Sequence, residues 1–368
     1  MTTVLEIAFF ASAGLIVFSQ LGYPLVLSLL PKAKRPTPHA QNAAVSLIVA
    51  AHDEQDVITD RVTAAKADGA EVIVACDGCA DGTADRARGA GADLVLELDR
   101  GGKVAAQNAA VEKASGTLLA FSDANSAWEP GATAKLAAAF ADPTVAYACG
   151  QLRLESPEGD NQEGLYWRYE MKLRQLESDR AGITAGNGAI YMVRAADYIE
   201  LDSARSHDGS FPFLLAKRRR RSVYVPDAAA SERMVPTIGG EFTRKRRIMR
   251  PLWDVVVLDG MLSPRGYSAL YAFEILNHRL LRYAAPFLHL IALATNIALL
   301  GRGTLFTVTL ALQGALLLAA ALASLIPLAP LRIARYYVSV TASVLFGLWD
   351  RARLGPRSGG WEKAEGAR

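Results

Sequence analysis

Carboxylates stand directly after three apolar runs in this 368-residue chain. His52-Asp53-Glu54 follows VSLIVAA, Asp77-Gly78-Cys79-Ala80-Asp81-Gly82-Thr83 follows EVIVAC, and Asp123-Ala124-Asn125 follows TLLAFS. Any one of these acids can simply cap the next helix. Three that converge on one edge can do more: hold a hard divalent cation through oxygen, and accept hydrogen bonds from a base and a ribose. Those are the needs of a nucleoside diphosphate. Further along, Asp208 in Ser206-His207-Asp208-Gly209 reads by itself as a helix cap. Arg244 and Arg247 are three apart in a basic stretch, so they share a helix face and suit a two-pronged grip on a diphosphate. The same stretch also reads as a basic amphipathic helix on anionic lipid.

The elements that must position these groups follow from the pattern. The runs VSLIVAA, EVIVAC, DLVLEL and TLLAFS alternate with polar helical stretches between Val45 and Phe121. Continuous apolar runs of this kind belong to a parallel sheet covered on both faces, and such sheets bind ligands at the carboxyl ends of their strands. The acids therefore lie at the edge where chemistry is expected.

In order, VSLIVAAHDEQDVI, CDGCADGTAD, GGKVAAQNAAVEKASGTLLAFSDAN, AGNGAIYMVR and SVYVPDAAASE resemble family 2 glycosyltransferases of the GT-A fold, over about Val45 to Arg250. The membrane arrangement described below resembles the hyaluronan, chitin and cellulose synthase branch. The resemblance implies a Rossmann-like α/β domain with a mainly parallel sheet. It implies inverting hexosyl transfer from a nucleotide-sugar, with a UDP-sugar as donor, to a saccharide or lipid-linked acceptor in polysaccharide synthesis. By the same resemblance Asp53 and Glu54 lie beside the nucleoside, Asp77 accepts from uracil, Asp81 orders its loop, and Lys103 of Gly102-Lys103 faces the nucleotide. Asp123 and Asn125 become ligands of Mg²⁺ or Mn²⁺, Asp208 the base, and Arg244 and Arg247 counterparts of the Q-x-x-R-W region.

The chain departs from that pattern at several points. Asn125 replaces an acid, and a neutral amide oxygen binds a divalent ion more weakly. His207 replaces an acid, Ala51 a proline and Cys79 a serine. The Gln and adjoining Trp of Q-x-x-R-W are missing, which counts against processive synthesis. A non-catalytic nucleotide-sugar-binding subunit of a membrane assembly complex is the competing reading, and release of UDP by purified protein discriminates the two.

The ends of the chain differ from its middle. Val4 to Leu30 is almost entirely apolar, with only Glu6 charged, enough to span hydrocarbon, and Lys32, Lys34 and Arg35 follow it. The expected organisation is a transmembrane anchor over 1–31, a basic Pro-rich linker over 32–44, a GT-A domain over 45–235 and basic interface helices over 236–282. Membrane helices over 283–350 and a basic tail over 351–368 follow. The positive-inside rule puts the domain in the cytoplasm on a multi-pass inner (cell) membrane protein. Tyr336 to Trp349 is short of a full span, so an interfacial, tilted or re-entrant helix competes with a crossing. Lys217 to Arg221, all basic, reads as a solvated turn. A net charge of +3 is too small to argue for nucleic acid. The three cysteines make no disulfide framework, and Cys76-x-x-Cys79 has no second pair at finger-like spacing. They read as small residues in a strand-to-loop turn.

Overall fold

The computed structural model describes residues 2–33, 43–155, 162–233, 238–326 and 328–355. Eight strands form one sheet: β1 Val45–Ala51, β2 Glu71–Asp77, β3 Leu94–Leu98, β4 Leu118–Asp123, β5 Ala127–Trp128, β6 Val145–Glu155, β7 Ile190–Arg194 and β8 Arg221–Arg233. Their spatial order is β3-β2-β1-β4-β7-β6-β8-β5. The first four in that order are mutually parallel. The second half is mixed. β7 runs antiparallel to β4 and β6, and β8 rejoins β6 in parallel.

After their first residues, β1 and β2 are wholly buried, which is why their sequences are apolar without alternation. Leu47, Val49, Val72 and Val74 pack into one layer, while Ile48, Ala50, Ile73 and Phe121 pack into the other. Ala50 of β1 pairs with Ala75 of β2 and with Asp123 of β4. This register brings the residues after β1, the end of β2 and the end of β4 to one edge.

Among the described residues, three helices are long and apolar enough to cross a membrane: Thr2–Leu29, Ala269–Ala298 and Thr304–Leu322. The second begins well before Tyr283, where the apolar stretch of the sequence starts. Its first turns are occupied by polar residues with partners in the α/β domain. His278 Nδ1 lies 2.6 Å from Glu177, and Arg282 pairs with Glu170. Glu177 also accepts from Tyr23 of the first helix at 2.7 Å. Lys32 pairs with Asp179 at 2.9 Å, and Arg180 donates to the Leu30 carbonyl. The helix Gln162–Ser178 and the turn after it thus hold the first two of these long apolar helices to the domain.

The last helix, Ala329–Leu354, extends beyond the Tyr336 to Trp349 stretch at both ends. It is not of the membrane-crossing class, and it packs against the basic helix Ile238–Val257. Arg246 reaches Asp350 at 2.5 Å, Arg351 reaches Asp254 at 2.7 Å, and Arg250 donates to the carbonyls of Leu354 and Gly355. Lys34 and Arg35 of the linker, and the tail from 356 on, lie outside the described residues.

Candidate active site

Asp53 takes the left-handed backbone region, with φ of 50°, and its Oδ1 accepts from the Ala80 amide at 2.8 Å. The Glu54 amide donates to Thr83 Oγ1 at 2.7 Å, and the Glu54 carbonyl accepts from Ile58 to open the next helix. Asp81 accepts from the amides of Gln55 and Thr83. The segments after β1 and β2 are therefore knitted together by side chains that accept backbone N–H groups.

Asp77 is almost fully buried, at 1% exposure. Its carboxylate accepts from the amides of Gly101 at 2.7 Å and Gly102 at 3.0 Å. Gly102, at φ of 96°, turns the chain into the helix Lys103–Val111 in a conformation that L side chains avoid. Asp77 thus fixes the loop from which Lys103 projects. Lys103 Nζ donates to Asp123 Oδ1 across the edge of the sheet. Burial alone would lower the Lys103 pKa. The pairing with Asp123 and the fields of Asp208 and Glu232 outweigh it and hold the ammonium above its ordinary value.

Asp208 sits in the first turn of the helix His207–Lys217 and is half-buried. Its carbonyl accepts from Gly186 at 2.9 Å, which joins it to the Ala185-Gly186-Asn187-Gly188 segment. A Cβ on Gly186 would lie 2.0 Å from the Tyr147 hydroxyl, so only glycine fits. Asn187 donates to the Gly150 carbonyl and accepts from Ile190, closing the turn into β7. His207 is a structural residue. Its ring stacks on Phe211, its nitrogens face the hydroxyls of Tyr191 and Tyr198, and burial with the nearby Lys103 charge drops its pKa to about 3.

Glu232, near the end of β8, is a site residue that reasoning from the sequence did not single out. It accepts from Ser126 and its charge acts on Lys103. The signal was an isolated acid closing the small-residue run Ala228-Ala229-Ala230-Ser231. Asn125 is exposed in the turn after β4, two residues from Asp123. Together they offer a carboxylate and an amide oxygen, a hard donor set that fits Mg²⁺ or Mn²⁺. Arg247 lies half-buried in the basic helix, and the side chain of Arg244 is outside the described residues. The neighbours Arg246 and Arg250 are engaged by the last helix. The Lys217 to Arg221 run is not simply solvated. Lys217 donates to the Ser263 and Arg265 carbonyls, Arg220 pairs with Asp197, and Arg221 pairs with Asp142.

Residues 46–199 match the family model described as glycosyl transferase family 2. The chain carries a domain of that family on a GT-A fold, and it is a glycosyltransferase. No curated protein is similar enough to match it. Among solved structures, the mannosyltransferase PcManGT of Pyrobaculum calidifontis, in complex with GDP-Man and Mn²⁺, is 20% identical. The alignment covers 95% of this chain and 97% of that one, with a TM-score of 0.71. Glucosyl-3-phosphoglycerate synthase of Mycobacterium tuberculosis, with Mn²⁺, UDP-glucose and phosphoglyceric acid, is 16% identical over 60% of this chain and 86% of its own, at a TM-score of 0.44.

Proposed function

We propose that this edge binds a nucleotide-sugar, with a UDP-sugar as donor, and that Asp208 activates an acceptor hydroxyl for a single inverting displacement. The acceptor is a saccharide or a lipid-linked saccharide, met at the cytoplasmic face of the membrane in polysaccharide synthesis. The observation that carries this reading is the meeting of Asp123, Lys103 and Asp208 at the carboxyl edge of the sheet. Asp208 takes the proton of the hydroxyl as its oxygen bonds to the anomeric carbon, and the bond to the diphosphate breaks with its electron pair. Lys103, already held charged, offsets the negative charge left on the diphosphate, with Arg244 and Arg247 as further cations. Asp53, Glu54 and Asp77 stand on the nucleoside side. A divalent cation, Mg²⁺ or Mn²⁺, held by Asp123 and Asn125 supplies further electrostatic stabilisation of the leaving group when bound. The mannosyltransferase of the same fold carries Mn²⁺ and a nucleotide-sugar, which supports the cofactor.

Two observations favour the membrane face and a lipid-linked acceptor. Lys32, Lys34 and Arg35 follow the first apolar helix, the pattern of a cytoplasmic flank. Between the long helices lies a cavity of about 500 Å³ whose lining, including Phe9, Leu293, Leu316 and Val338, is apolar and suits an aliphatic chain. The test is nucleoside diphosphate release by detergent-purified protein given UDP-sugars and GDP-mannose, with Mg²⁺ or Mn²⁺ and a membrane lipid extract. Release that depends on the extract is expected. Donor binding without release under any of these conditions would return the chain to the non-catalytic reading.

A further inference from the structure

The ends of β1 and β2 bring together His52, Asp53 and Cys79, with one ligand atom of each lying within 4.8 Å of the others. His52 Nδ1 lies 2.8 Å from the Asp77 carbonyl oxygen. A carbonyl only accepts, so Nδ1 carries the proton and Nε2 is the coordinating nitrogen. A ring oriented by a backbone carbonyl in this way is the usual support of a metal-ligating histidine. Nε2 stands 3.4 Å from Asp53 Oδ2. Two donors each about 2.0–2.1 Å from a tetrahedral ion are about 3.4 Å apart, so this pair already spans one edge of such a site. Asp53 is held there by its left-handed backbone and by Oδ1, which accepts from Ala80. Cys79, half-buried, faces the Ala51 carbonyl at 3.4 Å and is hydrogen-bonded by Cys76.

The sequence argues against zinc only because it is read linearly. The ligands that Cys79 lacks in its own C-x-x-C come from the neighbouring strand through the parallel pairing of Ala51 with Cys76. A set of imidazole nitrogen, carboxylate oxygen and thiolate differs in kind from the oxygen pair Asp123 and Asn125, and thiolate selects zinc-class ions over Mg²⁺ and Mn²⁺.

We propose that His52 Nε2, Asp53 Oδ2 and Cys79 Sγ form a second metal site, of the zinc class, that clips the end of β1 to the loop after β2. Binding of Zn²⁺ forms the metal–sulfur bond and releases the Cys79 proton to solvent, and water completes the fourth position. The site shares Asp53 with the proposed nucleoside side, but its readout is separate from sugar transfer, so it stands or falls whether or not the transfer reading holds.

The test uses the full chain in detergent, stripped with chelator and titrated with Co²⁺ as a spectroscopic substitute for zinc. One equivalent should produce the thiolate-to-cobalt charge-transfer absorption, Zn²⁺ should abolish it, and Zn²⁺ alone should raise Tm. Cys79→Ser, isosteric, should lose the band while its metal-free Tm stays close to that of the natural chain. His52→Ala should weaken Co²⁺ binding by about tenfold or more, and Cys76→Ser should keep the band. A natural chain without the band would overturn the site, as would a band that survives Cys79→Ser or disappears only in Cys76→Ser.

Discussion

His207 and Asp208 are neighbours with opposite surroundings, and the contrast separates structure from chemistry at the scale of single residues. Asp208 is half-buried at the edge that carries Lys103 and Asp123, and a general base is worth about 10²–10⁴ in rate. Asp208→Asn should therefore cut transfer by that factor while UDP binding stays within about twofold, read by single-turnover assay and by nucleotide titration. His207 is 3% exposed and its pKa falls to about 3 through burial and the Lys103 charge. The unfolded chain takes up the proton near the ordinary value of about 6.5 and the folded chain does not, so the unfolded state binds more protons between these values. Stability should therefore be lost as the pH is lowered through this window. His207→Gln should flatten the profile relative to the natural chain, measured as Tm against pH from 6.5 to 4. The acids at strand ends were legible in the sequence because each follows an apolar run. The buried work of Asp77 and the approach of Glu232 to Lys103 were not, since they depend on partners 24 and 106 residues away, the latter through Ser126 beside Asp123.

At the scale of elements, legibility follows burial. β1, β2 and β4 could be read as strands because both faces are covered, whereas β6 and β8 carry Gln, Arg and Glu among their apolar residues and form, with β7, the mixed second half of the sheet. The last helix was foreshortened in the sequence because its ends are charged: Asp350 and Arg351 interrupt the hydropathy yet pair with Arg246 and Asp254. The basic run before β8 holds the turn that its sequence suggested. Arg219 takes φ of 61°, a conformation natural to glycine, and its side chain is exposed, so little packing depends on it. Arg219→Gly should raise the unfolding free energy by about 0.5–1 kcal/mol. Chemical denaturation of the detergent-solubilised protein gives the value, and a loss of stability would mean that the arginine is held by contacts outweighing its backbone strain.

For the whole molecule the question is which side of the bilayer each end occupies. Tyr23, Lys32, His278 and Arg282 tie the first and second long helices to the helix Gln162–Ser178 and the turn after it, so the α/β domain sits at the Leu29 end of one and the Ala269 end of the other. A crossing by Ala269–Ala298 and a return by Thr304–Leu322 bring the chain back to the domain's side. The last helix is held to that side by its ion pairs with Ile238–Val257, and a third crossing would have to break them. If, as proposed, the basic flank of the first helix is inside, Gly301-Arg302-Gly303 is expected to face the exterior and the tail to stay in the cytoplasm. Cysteines introduced at Arg302 and, separately, at Ser358 and probed on intact cells with a membrane-impermeant thiol reagent should give labelling at the first position only. The natural Cys76, Cys79 and Cys149 lie within the α/β domain and should stay unlabelled. Labelling at both introduced positions would mean three crossings after the domain. Labelling of the natural cysteines with none at Arg302 would reverse the orientation and remove the cytoplasmic donor supply on which the proposed transfer depends.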